Sequence, residues 1–374
     1  MSFTTFPLNP ALIRAVSGLG YTAPTPIQSI AIGPAAEGRD VLGCAATGSG
    51  KTAAFMLPAL HRLGQHRRGV IRALVLAPTR ELAAQIDAQR RALGRHTDLD
   101  GTVVVGGVAM GPQEHALRRG VDVLVATPGR LLDHMRRRTV RLDGVEIVVL
   151  DEADRMLDMG FLPDVRRILG ALGSRPRQTL LFSATLPSEI VALAGELLRD
   201  PVKIGIERPA TPAAGVRHSV YAVRREEKVS LLLDLLRQPG VKNVLAFTRT
   251  KHRADRVARA LAREGVAADR IHGDRSQAQR TKALDGFKSG AVRVLVATDI
   301  AARGIDVTGL SHVVNFDVPD VADSYIHRVG RTARAEAIGD AVTFVAPEEE
   351  AEFRSIERAV GRPMRRLSRP ALAR

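Results

Sequence analysis

The sequence predicts an α/β fold of two tandem domains, each a mainly parallel sheet with helices on both faces. Three observations predict it. Strand-length apolar runs alternate with helical stretches along the chain, the signature of βαβ units. The alternation stops over residues 206–215, which hold Pro209 and Pro212 and show no periodicity, and then starts again. A glycine-rich turn leads from a strand into a helix near the start of the first half, and the second half has no Gly-Lys-Thr turn of its own.

The elements follow in order. In the first half the strand runs are Val41-Leu42, 73–77, 102–105, 121–126, 145–150 and 179–182. Residues 145–150 are almost continuously apolar, as expected of a parallel strand buried on both faces. Several runs close on polar or glycine-rich turns: Pro78-Thr79-Arg80, Gly106-Gly107, Thr127-Pro128-Gly129-Arg130, Asp151-Glu152 and Ser183-Ala184-Thr185. Loops at the carboxyl ends of such strands are where open α/β sheets bind ligands. In the second half the runs are 243–247, Arg270-Ile271, 292–297, 312–316 and 341–345. The expected boundaries are a first domain over 1–205, a linker over 206–216, a second domain over 217–360 and a flexible basic tail over 361–374. That tail holds five arginines and no acid.

Ala45-Ala46-Thr47-Gly48-Ser49-Gly50-Lys51-Thr52 reads as a phosphate-binding loop opening a helix at Lys51. Glycines let backbone N–H groups turn toward a polyphosphate, Lys51 reaches the β- and γ-phosphates, and the Thr52 hydroxyl holds Mg²⁺. Ala45 departs from the strict pattern, which begins with glycine. Downstream, Asp151-Glu152-Ala153-Asp154 ends the apolar run 145–150. There Asp151 can hold Mg²⁺ through water and Glu152 can polarise an attacking water; a solvated helix N-cap is the alternative. Arg328, Arg331 and Arg334 recur at a spacing of three in the second half, near one face if the segment is helical. They read either as a solvated helix face or as arginine fingers for a phosphoryl group.

The chain has 374 residues and a formal net charge of +15, which points to a polyanionic partner. Trp is absent and there are only three Tyr and ten Phe, too few for a binder that stacks successive bases. A nucleic-acid partner is then read through its backbone. Cys44 is the only cysteine, which excludes an intramolecular disulfide and a cysteine zinc cluster and reads as a small buried residue. The N-terminus lacks the basic and apolar segments of a signal peptide, and no run approaches a membrane span, so a cytoplasmic location is expected.

Taken in order, these motifs closely resemble the DEAD-box ATP-dependent RNA helicases, particularly bacterial RhlE-type members, from Phe3 to about Val360. Gly20-Tyr21-Thr22-Ala23-Pro24-Thr25-Pro26-Ile27-Gln28 is similar to the family's adenine-reading motif, with Phe3 upstream. The family carries alanine at the first loop position, as Ala45 does. Phe247-Thr248-Arg249-Thr250, Gln277-Ala278-Gln279-Arg280 and the stretch from Ala297 through Thr298, Asp299, Gly304 and Asp306 resemble its second-domain motifs. His327 to Arg334 resembles the last one, with Ala333 where the family usually has glycine.

The resemblance implies two RecA-like domains that close over ATP, Mg²⁺ and single-stranded RNA. It implies that Phe3, Tyr21 and Gln28 hold adenine, while Thr47, Gly48, Ser49, Gly50, Lys51 and Thr52 hold phosphates, with Thr52 and Asp151 on the metal. Glu152 would activate water, Gly304 and Asp306 would complete the nucleotide site, and Arg331 and Arg334 would be the fingers. RNA contacts fall to Pro78, Thr79, Arg80, Gly107, Thr127, Pro128, Gly129, Arg130, Arg249, Gly273, Arg280, Thr298 and Asp299. Asp154, Ser183, Thr185, His327 and Arg328 would couple the two activities. A monomer is expected, with ribonucleoprotein or RNA-decay partners. Three other readings compete: an RNA clamp or annealing factor, a DNA helicase or translocase, and a small-molecule kinase. The clamp would use the same residues. The tetrad and Gln28 argue against the DNA enzyme, and the second-half arginines against the kinase.

Overall fold

The structure, a computed structural model, describes residues 2–45, 48–64, 69–173, 175–205, 216–302, 310–332, 339–361 and 364–368, with the backbone alone at Ile300 and Asp323. The chain divides into two compact units, Met1–Pro209 and Ala210–Arg374. The first holds β1 (Val41–Cys44), β2 (Ala73–Leu76), β3 (Gly101–Val104), β4 (Val123–Ala126), β5 (Ile147–Leu150), β6 (Gln178–Ser183) and β7 (Val202–Ile204). They form one parallel sheet in the order β3-β4-β2-β5-β6-β1-β7. Leu76 is in register with both Ala126 and Leu150, so the central strands end level and their following loops share one edge.

The continuous apolar runs have a simple origin. Successive side chains of a strand point to opposite faces. Ala73 and Val75 enter one core, with Phe55, Val149 and Phe182, while Leu74 and Leu76 enter the other, with Leu131, Leu150 and Val165. Helices cover both faces, so neither set of positions tolerates a polar residue.

The second unit holds β8 (Val216–Ala222), β9 (Val244–Phe247), β10 (Ala268–Ile271), β11 (Val294–Ala297), β12 (His312–Asn315), β13 (Gly339–Val345) and β14 (Arg365–Leu367). Its order is β10-β11-β9-β12-β13-β8-β14, again all parallel. Subtracting seven from each label gives the order of the first sheet.

Three strands were not expected: β7, β8 and β14. β8 begins at Val216, the last residue of the expected linker; the rest of that linker lies outside the described residues. The basic end is also more structured than a flexible tail. β14 pairs with Ser219–Tyr221, and Arg366 sits on Glu350 at 2.9 Å and Glu357 at 3.3 Å. Met364 is buried, and its sulfur accepts a hydrogen bond from Tyr325 at 3.2 Å. Three residues with two charges at a sheet edge leave no apolar pattern to read. Arg362, Arg369 and Arg374 lie outside the described residues.

Candidate active site

Six strand-end loops of the first unit fall into two neighbouring groups. The phosphate loop follows β1, Asp151-Glu152 follows β5, and Ser183-Ala184-Thr185 closes β6; these strands adjoin as β5-β6-β1. Pro78-Thr79-Arg80, Gly106-Gly107 and Thr127 to Arg130 follow β2, β3 and β4, which adjoin as β3-β4-β2. The sheet thus sorts the expected nucleotide residues to one side and the expected RNA residues to the other.

Around the phosphate loop, Gly48 and Gly50 take φ of 85° and 94°, the left-handed region that favours glycine. A Cβ on Gly50 would lie 2.5 Å from Gln28 Nε2 and 2.9 Å from Thr25 Oγ1. Those two side chains grip the loop: Gln28 Nε2 donates to Gly50 O at 3.1 Å and Thr25 Oγ1 to Ser49 O at 2.7 Å. Thr25 was not among the expected site residues. Its hydroxyl beside Gln28 at a helix start was the available signal. Phe3 is buried, with its ring 6.0 Å from that of Tyr21, whose hydroxyl accepts from Gln89 Nε2 at 2.7 Å. Lys51 opens the helix Lys51–Leu63 and donates to Ala45 O at 2.6 Å, bending back over the loop.

Ser49 Oγ is buried with no hydrogen-bond partner. An orphaned hydroxyl in a glycine cradle beside Lys51 fits a polyphosphate. Thr47 lies outside the described residues.

The acid pair is buried rather than solvated: Asp151 and Glu152 are 2% and 3% exposed. Burial pushes the Asp151 carboxyl up to about 7, with Lys51 pulling it down and the Glu152 charge pushing it further up. A carboxylate so placed fits a divalent cation held by one protein acid, the neighbouring Thr52 hydroxyl and substrate phosphates. Glu152 adopts φ 54° at the start of the helix Ala153–Asp158, a strained backbone for a glutamate. Arg155, buried at 1% exposure, holds Glu152 Oε2 through Nη1 at 2.6 Å. Sequence reasoning missed Arg155, although a spacing of three from Glu152 was a readable signal.

Asp154 joins the tetrad to β6. Its Oδ2 accepts from Ala184 N at 3.1 Å, Thr185 N at 2.8 Å and Thr185 Oγ1 at 3.0 Å, and its backbone N–H donates to Ser183 Oγ at 3.1 Å. Asp154→Ala should strip these donors of their acceptor and destabilise the first unit by about 3 kcal/mol. An unchanged urea midpoint for that unit would contradict the assignment. Cys44 lies half-buried beneath, its thiol donating to Ala184 O at 3.4 Å, and burial raises its pKa.

On the other side of the sheet, Thr79 caps the helix Arg80–Leu93 by accepting from Leu82 N at 3.2 Å. Arg80 lies across Gly107, where a Cβ would meet its Nη1 at 1.7 Å. Pro128 opens the helix Pro128–Arg136, and Arg130 donates to Val108 O at 3.0 Å.

In the second unit the expected RNA residues again lie at neighbouring strand ends. Gly273 follows β10, Thr298 and Asp299 follow β11, and Arg249 follows β9, which adjoin as β10-β11-β9. Arg280 lies in the helix Gln277–Lys288 and donates to Ala301 O at 3.4 Å. Arg328 is turned inward: its Nε and Nη2 hold Asp299 at 2.6 and 2.7 Å, and its Nη1 donates to Asp317 O at 2.7 Å. The Asp299 carboxylate is therefore engaged by Arg328. The helix Ala322–Val329 contains His327 and Arg328 but ends before Arg331, so the expected shared helix face does not extend to Arg331, which is buried. Gly304, Asp306, Ala333 and Arg334 lie outside the described residues.

A third omission is Lys228. It is fully buried, donates to Phe316 O at 2.9 Å and Glu349, and lies 3.7 Å from Asp317 Oδ1. Burial lowers its pKa against the pull of Glu349 and Asp317. Asp317 Oδ2 in turn accepts from Arg249 N at 2.9 Å, so this lysine supports the loop that carries Arg249. No helix among the described residues is long and apolar enough to cross a membrane.

Comparison with known proteins agrees with this geometry. Residues 25–193 match the DEAD/DEAH box helicase family and residues 227–336 the helicase conserved C-terminal domain. The chain is 42% identical over 372 residues to the DEAD-box ATP-dependent RNA helicase CshA of Bacillus subtilis (strain 168), covering 100% of this chain and 75% of that one. It is 43% identical over 368 residues to the ATP-dependent RNA helicase RhlB of Pseudomonas syringae pv. tomato, covering 96% and 93%. Among solved structures, S. cerevisiae Dbp5 bound to RNA and ADP BeF3 aligns with a TM-score of 0.89 at 29% identity, over 98% of this chain and 95% of that one.

Proposed function

The chain belongs to the DEAD-box ATP-dependent RNA helicases, and from that premise we propose how its residues divide the work. It is an ATP-dependent RNA helicase, hydrolysing ATP with water to ADP and phosphate. The observation that carries the proposal is the sorting of loops along the first sheet, with Asp154 clamping the tetrad to Ser183-Ala184-Thr185. Any shift of the β6 loop is then felt at Glu152.

Lys51, Ser49 and the loop N–H groups hold the phosphates, while Gln28 and Tyr21 face the base. Mg²⁺, held by Thr52 and Asp151, would neutralise developing phosphate charge. Glu152 takes the proton from the attacking water, with Arg155 holding its carboxylate in place. Arg331 and Arg334 belong to the other unit and supply charge to the transition state only when the two domains close. Single-stranded RNA of any sequence favours that closure, because Thr79, Arg80, Thr127, Arg130, Arg249 and Arg280 contact its backbone. Closure bends one strand and opens short duplexes. By reciprocity, ATP raises RNA affinity. Relatives named RNA helicases and a neighbour solved with RNA support this reading, as does the absence of Trp.

ATP turnover is expected to be weak alone and strongly stimulated by RNA whatever its sequence. Equal turnover with and without RNA would sink the proposal. A short-duplex displacement assay separates unwinding from a clamp that holds RNA without opening it.

A further inference from the structure

The helix Lys251–Arg263 carries five lysines and arginines and a single aspartate. Ala254, Val257, Ala258 and Leu261 form its buried side. His252, Arg256, Arg259 and Arg263 follow at spacings of four, three and four, one stripe on the opposite side, and all four are exposed.

The stripe lacks counter-charge. Two other exposed arginines of this unit, by contrast, sit on carboxylates: Arg217 on Asp340 at 2.7 Å and Arg354 on Glu350 at 3.1 Å. Among the described residues, no carboxylate lies within 4.0 Å of Arg256, Arg259 or Arg263. Arg259 donates only to the Asp255 carbonyl, at 3.2 Å. The Asp255 carboxylate itself turns to Arg270 at 2.9 Å and His272 at 3.3 Å. Lys251, His252 and Arg253 occupy the first turn with no acid among them, against the helix macrodipole; Lys251 sits on Asp274 at 2.8 Å and Arg253 on Asp317 at 2.9 Å, both outside the helix. Helix stability does not explain this charge pattern.

At its N-terminal end the stripe meets a recess of about 280 Å³ that Arg225, Arg249, His252, Arg253 and Arg256 help to line. Of the three glutamates there, Glu349 is held by Lys228 and Glu352 by Arg249 at 2.6 Å, which leaves Glu348 exposed against Arg225 and Arg256. The net charge left facing solvent is positive, and it is continuous with Arg249.

We propose that this stripe is a second track for the RNA phosphate backbone, continuing the Arg249 contact along the outside of the second unit; this rests on the RNA-dependent reading above. Eleven rises of 1.5 Å between His252 and Arg263 make it roughly 16 Å long, so it serves RNA that runs past the strand-end loops. Arginines without carboxylate partners release counterions from the RNA at no loss of existing ion pairs, and they read no sequence.

The test is the triple variant Arg256→Gln, Arg259→Gln, Arg263→Gln, which removes charge while keeping helix propensity. Fluorescence anisotropy would follow binding of oligouridylates of about 10 and about 40 nucleotides. The longer RNA should bind about tenfold more weakly, and its salt slope should fall by about 2. The shorter RNA should bind as before, and maximal turnover should not change. Unchanged affinity and slope for the longer RNA would overturn the proposal, and so would an equal loss on both lengths. A variant that keeps RNA binding but loses binding to polyglutamate would assign the stripe to an acidic protein and overturn it too. Direct binding keeps the two readings apart. A wild-type chain that binds long RNA through the stripe but shows no RNA-stimulated turnover would sink the functional proposal and leave the stripe standing.

Discussion

Replacing Glu152 by Gln is expected to lower ATP turnover by at least about a hundredfold, the usual reach of a general base. ATP affinity should stay within a few-fold, because Lys51, Ser49 and Gln28 are untouched. Gln is the informative substitution because of Arg155. That guanidinium is 1% exposed and its Nη1 holds Glu152 Oε2. A glutamine can still offer it a carbonyl oxygen. Glu152→Ala would leave a buried cation without its acceptor and destabilise the unit by roughly 3–5 kcal/mol, confusing a folding defect with a chemical one. Single-turnover hydrolysis with saturating RNA is the measurement. Residual turnover within a few-fold of wild type would remove Glu152 from the role of base. The Gln variant should also release RNA more slowly when ATP is present, since its closed state is not discharged.

Lys51→Ala acts at an earlier step. The ammonium bends back to Ala45 O at the start of the phosphate loop, whose Ser49 hydroxyl is buried without a hydrogen-bond partner. Its removal deletes a charge-assisted bond to phosphate worth about 1.5–3 kcal/mol. ATP affinity should therefore fall by roughly ten- to a hundredfold, read by titration with a fluorescent nucleotide. The effect should be present without RNA, which distinguishes it from variants that act only on closure. Unchanged affinity would mean that the loop does not hold the phosphates.

The legible parts of this molecule were those whose chemistry is local in sequence. The glycines at 48 and 50, the lysine beside them and the acid tetrad after a buried strand announce themselves within a few residues. The central strands were legible because burial on both faces demands apolar runs. β8 was not, because Arg217, His218 and Ser219 interrupt its pattern. β7 and β14 are three-residue edge strands with too little apolar surface to show. The contacts of Lys228 were hidden for another reason. A buried charge is recognisable only once its partner is near, and the partners of Lys228 lie 88 and 121 residues away. The sorting of loops was equally hidden, since chain order does not disclose the strand order β3-β4-β2-β5-β6-β1-β7. The relatives described above are called CshA and RhlB, so they do not carry the finer likeness to RhlE-type members.

The repeated strand order also bears on how the protein melts. Each sheet is completed by strands from its own half of the chain, and each half fills its own cores. Among the described residues, neither half borrows a strand from the other to close its sheet. Such a chain is expected to unfold in two calorimetric transitions, with a measured enthalpy larger than the van't Hoff value. In the assignment proposed above the base and phosphates are held by the first half, so by mass action nucleotide should lift that transition and leave the other in place when RNA is absent. A single fluorescence midpoint would average the two, and a variant in the half that melts later would look harmless.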